Sequence, residues 1–187
     1  MRNLSLLFMF CATFAMAQTK TVTTSTINWW GYKIAKTASS SHTGTIDLKS
    51  GNVVLKGKKV VGGNFVLDMN SITSTDLTGD PQTKLNGHLK NGDFFEVEKF
   101  PSAKFSITSI KNNSSKAFPY LVLGNLTIKG KTKAISFPAK ISSGSIFTLE
   151  SDKFSFDRQY FDVAYQSSLK DVLVKDDIDM KIVFSAK

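Results

Sequence analysis

Two histidines, one internal arginine set between carboxylates, a Gly-Lys-Thr triplet and a single cysteine are the residues of this 187-residue chain whose types could do chemistry. His42 stands in Ser41-His42-Thr43-Gly44, at the expected start of a strand, and His88 falls in an expected helix. A zinc-protease helix needs two histidines on one face, so one histidine on each of two elements does not make that centre, and no metal site is expected. The serine-hydrolase pattern G-x-S-x-G is absent. His88 with Asp93 is the one pair that could serve a hydrolase or isomerase. Both histidines fit better as structural groups or at the mouth of a pocket. Asp157 and Asp162 flank Arg158, and two such carboxylates could be general acid and base. The guanidinium between them would hold both ionised, so an ion pair organising a turn is expected instead. Gly130-Lys131-Thr132 lacks the glycine a phosphate loop needs five positions before Gly130, where Asn125 stands, and it reads as a hairpin turn. These readings favour a protein that is not an enzyme.

Cys11 lies in an apolar run from Leu4 to Phe14 that follows Arg2 and ends at Ala15-Met16-Ala17, the pattern of a secretory leader over residues 1–17 with cleavage before Gln18. Periplasmic or secreted placement follows, with Cys11 leaving in the leader and no disulfide or thiolate site in the mature chain. The net charge is +9, and among 24 basic residues only Arg2 and Arg158 are arginines. The lysines are spread singly over turns and strand exteriors, which argues against nucleic acid and leaves transient contact with an anionic membrane surface as the sharper reading of the charge.

The elements that must position these residues are mostly strands. From Ile27 onward apolar and polar residues alternate with period two. Trp30, Tyr32 and Ile34 form the first apolar row, and Ser50-Gly51-Asn52 is expected to turn the chain into Val53 and Leu55. Phe65, Leu67 and Met69 alternate next, and residues 70–79 read as a polar connection. Asp80 as N-cap, Pro81, Leu85, Leu89 and Gly92 as a left-handed stop predict one short helix at about 81–91. Phe94, Phe95, Val97 and Phe100 follow it as an aromatic plug. Further strands are expected around Phe105 and Ile107, Leu121 to Ile128 with a β-bulge at Gly124-Asn125, Ile135 to Ile141 with an edge-like or broken position at Pro138, Phe147 to Phe156, and Ile178 to Phe184. About ten short strands and one helix describe an all-β antiparallel barrel or sandwich in a single domain over residues 18–187. Periodicity leaves open whether its interior is filled or holds a slender ligand.

Five blocks taken in order add a resemblance. Ser41 to Ile46, Phe65 to Ile72, Leu85 to Phe105 with His88-Leu89-Lys90 and Asp93-Phe94-Phe95, Gly124 to Gly130, and Phe156-Asp157-Arg158 resemble the YceI-like family. The resemblance implies an eight-stranded, lipocalin-like antiparallel β-barrel whose elongated cavity binds a polyisoprenoid chain such as that of an isoprenoid quinone, without catalysis. On that basis Trp30, Tyr32, Phe65, Leu67, Phe105, Ile107, Leu123, Phe137, Phe147 and Phe156 are expected to line the tail site. Leu89, Phe94 and Phe95 would close one end, and His42, His88 or Arg158 would meet a polar head. No cofactor is expected beyond such a bound lipid or quinone. The alternative is a filled barrel acting as a periplasmic or surface interaction protein through its exterior lysines, and a homodimer is left open.

Overall fold

A chain that alternates apolar and polar residues places one row on each face of a strand, and an antiparallel sheet with one dry face must either pack against another layer or curl onto itself. Here it curls. The computed structural model describes residues 16–35, 40–165 and 172–187. The expected leader falls almost wholly outside them. The strands are β1 (Ala17–Ala35), β2 (Ser40–Lys56), β3 (Lys59–Ser74), β4 (Ser102–Asn112), β5 (Tyr120–Ile128), β6 (Lys131–Ser143), β7 (Phe147–Ser151), β8 (Phe154–Asp157), β9 (Val172–Val174) and β10 (Asp177–Ala186). One helix, α1 (Gly79–Lys90), and a 3-10 turn, Arg158–Phe161, complete the order.

Strands β1 to β7 follow one another around the sheet, and β10 closes it by pairing with β7 and β8 on one side and with β1 on the other. Because β7 and β8 both lie along β10, at Phe147–Glu150 and Phe154–Asp157, they act as one stave broken at Asp152-Lys153. The result is a closed, antiparallel, eight-stave barrel. The short β9 adds to the end of β1, with Ile34 opposite Leu173.

Several local expectations are corrected. Ser50-Gly51-Asn52 is not a turn: β2 runs through it, and the irregularity is a register shift between Leu48 and Ser50 that bends the strand. Gly51 is required there, since a Cβ would sit 2.9 Å from both the Phe65 ring and Val22. The polar stretch after Met69 continues as strand to Ser74. In β5 the buried positions are Val122, Gly124, Leu126 and Ile128, an unbroken alternation, so there is no bulge at Gly124-Asn125. The extra residue is instead on β4, where the register steps from Ile107 opposite Gly124 to Ser109 opposite Leu123. Gly124 looked like a phase slip because it is an inward position with no side chain, and a Cβ there would lie 2.3 Å from the Phe105 ring.

Strand β6 is interior, but Pro138 lies where its neighbouring stave is broken, so the position is locally edge-like as expected. The Pro138 carbonyl accepts from the Asp152 amide at 2.9 Å, and in an antiparallel ladder a residue's N and C=O face the same neighbour. The missing N–H therefore points at the break between β7 and β8. In α1 the cap is Thr78, without a side-chain bond, and Asp80 sits in the first turn, where its charge still suits the helix dipole. Gly92 is not left-handed; the chain reverses instead at Glu96, with φ +48.

The interior divides into two halves. Away from α1, Phe65, Phe184 and Phe147 pack ring against ring at 5.0 and 5.8 Å, and Phe147 and Leu149 are fully enclosed. That end is filled. Toward α1 the barrel is hollow.

Candidate functional site

Strands β3, β4, β5, β6, β8 and β10 each turn an apolar row into the hollow half, and together they enclose a cavity of about 290 Å³. Leu67, Met69 and Ile72 come from β3, Ala103 and Phe105 from β4, Phe137 from β6, Phe154 and Phe156 from β8, and Met180 and Ile182 from β10. Its floor is aromatic. Phe105 and Phe137 lie 5.6 Å apart and separate it from a second void of about 40 Å³ in the filled half, and Phe137 stacks on Phe154 at 4.5 Å. Trp29 stands in the wall with its indole N–H given to the Thr45 carbonyl at 3.3 Å, so even this polar atom is satisfied away from the cavity.

The lid is α1 with the segment that follows it. Leu85 and Leu89, one helical turn apart, face the cavity together with Phe94 and Phe95. Two side-chain amides dock the helix onto the end of β3: Asn86 Oδ1 accepts from the Ser74 amide and Gln82 Nε2 donates to the Ser74 carbonyl, each at 2.8 Å. Behind the helix the Phe95 amide donates to Leu89 and that of Val97 to Lys90, which folds the plug back under it. Phe94 packs against Tyr165 at 4.9 Å. Phe100 is not part of the plug's cavity face; it lies against Gly130 in the β5–β6 turn.

Among the described residues, the polar side chains that line the cavity, Lys33, His42 and His88 among them, gather at the mouth. His42 Nδ1 meets Asp76 Oδ2 at 2.9 Å, and His88 Nδ1 meets Asp93 Oδ2 at 2.7 Å; both histidines line the cavity. A carboxylate only accepts, so in each pair Nδ1 carries the proton. Burial raises the Asp76 carboxyl, but the bonds from His42 and the Thr43 amide outweigh it and hold the group below the usual carboxylate range. The bond from His88 does the same for Asp93. Asp76 also accepts from the Thr43 amide at 3.0 Å, so it fastens the β3–α1 connection to β2. Among the described residues no cluster of three or more His, Cys, Asp or Glu could hold a metal ion.

Of the expected tail-site residues, Tyr32, Leu67, Leu89, Phe94, Phe95, Phe105, Phe137 and Phe156 line the main cavity. Phe65 and Ile107 line the small void beyond its floor. Three are displaced. Trp30 is on the outside, because the inward row of β1 is Ile27 and Trp29. Aromatic residues on both faces of Trp29-Trp30-Gly31-Tyr32 hide the phase, which the buried Ile27 would have given. Leu123 is half-buried on the outer side of β5, and Phe147 is enclosed in the filled end. Ile46, Ile72 and Met69 were missed as wall residues, although their alternation with polar neighbours carries the signal.

Arg158 does not reach the mouth. It is 2% exposed, and its guanidinium donates to the carbonyls of Val163, Val174 (3.2 Å) and Lys175 (3.2 Å) and to Asp176 Oδ1 at 2.9 Å. The expected ion pair with Asp157 and Asp162 is replaced: Asp157 caps the Gln159 amide and Asp162 pairs with Lys131 at 3.0 Å. Arg158 thus ties the 3-10 turn to the chain between β9 and β10.

Comparison with known proteins agrees with this architecture. A UPF0312 protein of Photorhabdus laumondii is 33% identical over 94 residues, covering 50% of this chain and 45% of that protein. One of Yersinia enterocolitica is 34% identical over 79 residues, covering 42% and 36%. The matched stretches span less than half of these relatives' length. Among solved structures, BcnA of Burkholderia cenocepacia superposes with TM-score 0.67 at 22% identity over 87% of this chain and 96% of its own. A polyisoprenoid binding domain from Saccharophagus degradans, implicated in plant cell wall breakdown, superposes with TM-score 0.61 at 12% identity over 94% and 99%. At these identities the superpositions speak for the fold. The YceI-like domain profile matches residues 17–186, nearly the whole of the described barrel, and the chain belongs to the YceI-like family.

Proposed function

We propose that this is an exported carrier or sequestering protein for a polyisoprenoid chain, such as the tail of an isoprenoid quinone, and that it performs no catalysis. The observation that carries this reading is the cavity itself: apolar from wall to aromatic floor, closed at the far end, and covered by a lid whose underside is also apolar. An unsaturated hydrocarbon tail has no polar atoms to satisfy, and burying it returns about 25 cal/mol per Å² without any charged anchor. The likeness to a structure described as a polyisoprenoid binding domain supports the same ligand class.

At the mouth, the Nδ1–H tautomer of His42 and His88 leaves Nε2 of each ring for a polar head group. The leader expected over residues 1–17 would place the protein in the periplasm or outside the cell, where a lipid crossing water needs a container. Native mass spectrometry of protein from a host that makes isoprenoid quinones tests the proposal. A co-purifying prenyl lipid, lost on organic extraction and regained on adding a prenyl quinone, is expected; protein that arrives empty and takes up no quinone would overturn it.

A further inference from the structure

On the outside of the barrel a row of large side chains climbs β1 toward the rim. Trp30, Tyr32 and Ile34 are alternate residues of that strand, with Tyr32 at the rim where it also borders the cavity mouth, and Leu173 of β9 stands opposite Ile34, so the two aliphatic side chains share the outer face. Ile34 is 45% exposed and Leu173 68% exposed. The next pair along, Lys33 and Val174, faces the other way and lines the cavity mouth. Within one residue pair, the rim is therefore apolar toward solvent and open to the cavity on its inner side.

The charges beside this row are arranged around aromatic rings. The Lys153 ammonium lies 4.4 Å from the centre of the Trp30 ring, and that of Lys175 lies 5.5 Å from the Tyr32 ring. Asp179 and Asp177 pair with these two lysines at 3.0 and 3.3 Å. In each pair lysine and carboxylate neutralise one another, so any attraction to an anionic plane comes from the net charge of +9 of the chain as a whole. That excess is dispersed and not gathered into a patch. Dispersed lysines suit an extended anionic plane better than a discrete acidic protein partner.

We infer that the β1–β9 rim is a docking face for an anionic phospholipid surface. Ile34 and Leu173 enter the acyl boundary, Trp30 and Tyr32 sit at head-group level, where such rings are favoured, and the net positive charge of the barrel draws it to the phosphates. The inference rests on the lipid-carrier reading for its purpose: docking this rim sets the cavity mouth at the depth from which an apolar chain leaves the bilayer.

Vesicle flotation tests it with the full chain, using phosphatidylglycerol mixed with phosphatidylcholine, and phosphatidylcholine alone. Wild type is expected to float with the anionic vesicles and not with the neutral ones, and to be released by high salt. Ile34→Asp combined with Leu173→Asp should weaken binding about tenfold or more. Both positions are exposed, so the fold should survive; Ile34→Ser with Leu173→Ser serves as a milder pair. Uptake of a prenyl quinone from a detergent dispersion is measured in parallel, and the variants should match wild type. Wild type that ignores anionic vesicles, or variants that float as well as wild type, would overturn the inference, as would a wild-type dimer dissolved by the same substitutions without vesicle binding. Rim-dependent flotation without quinone uptake would leave the docking face standing and remove the carrier reading.

Discussion

Arg158 and Ala103 show the two kinds of work a single residue does here. Arg158 is a buried cation whose donors are spent on three carbonyls and one carboxylate, so its role is to hold the segment around Val163 and β9 against the barrel. Arg158→Ala should cost about 2 kcal/mol, because it strands the buried Val163 carbonyl and removes the donor from the part-buried Val174 and Lys175 carbonyls. In a domain of this size that is roughly a 5 °C fall in Tm by thermal denaturation. Prenyl quinone affinity measured below the transition should be unchanged. A residue in direct contact with a head group would give the opposite pattern, lost affinity with stability retained. Ala103 is 3% exposed and faces the cavity from β4. Ala103→Phe should fill part of the hollow, leave Tm level or raised, and reduce quinone uptake about tenfold or more, as read by equilibrium binding. The sequence placed Arg158 correctly as a turn organiser but misjudged its partners. Asp157 and Asp162 are near in the chain, whereas Asp176 is near only after β9 and β10 have folded back, and no local pattern reports that.

At the scale of elements, the lid carries the behaviour. It docks through short polar contacts, the Asn86 and Gln82 amides on Ser74 and the Asp76 link to His42 and Thr43, while its apolar underside meets a cavity and not a packed core. An element held this way opens more readily than the barrel beneath it. The Asp76 carboxyl is held below its ordinary range in the folded state. Its contribution is therefore fully present above the ordinary carboxylate pKa and is lost as pH falls through the depressed value. Hydrogen exchange of the α1 amides should accelerate across that acid window in wild type. In Asp76→Asn it should already be faster at neutral pH and change less on acidification.

The helix itself was readable from Pro81, Leu85 and Leu89, and so was its role as a cover. Its ends were readable to within two residues, but its caps were not, because the stop uses bonds from Phe95 and Val97 back to the last turn in place of a left-handed Gly92. Likewise Ser50-Gly51-Asn52 has turn composition, yet pairing on both sides carries β2 straight through it.

For the whole molecule, closure decides between sandwich and barrel, and closure rests on β10 pairing with β1 across most of the chain. Alternation shows that each strand has one dry face; it cannot show which strands meet. The same limit applies to the interior. The twelve phenylalanines that follow the expected leader signal a heavy core, but whether Phe65, Phe147 and Phe184 fill one end while Phe105 and Phe137 floor the other depends on positions along the barrel axis that only the register provides. The family resemblance supplied what periodicity left open, the closed eight-stave form. The hollow under the lid is what makes the form useful.

The central claim is that this hollow takes an apolar tail by burial and shape. The direct measurement is a titration of delipidated protein with quinones that share one head group and carry tails of increasing isoprene number, followed by quenching of Trp29 in the cavity wall. Affinity is predicted to rise with each added unit, by about 0.8 kcal/mol for every CH₂-sized group buried, and then to level off once the cavity is full. An affinity independent of tail length would contradict the account.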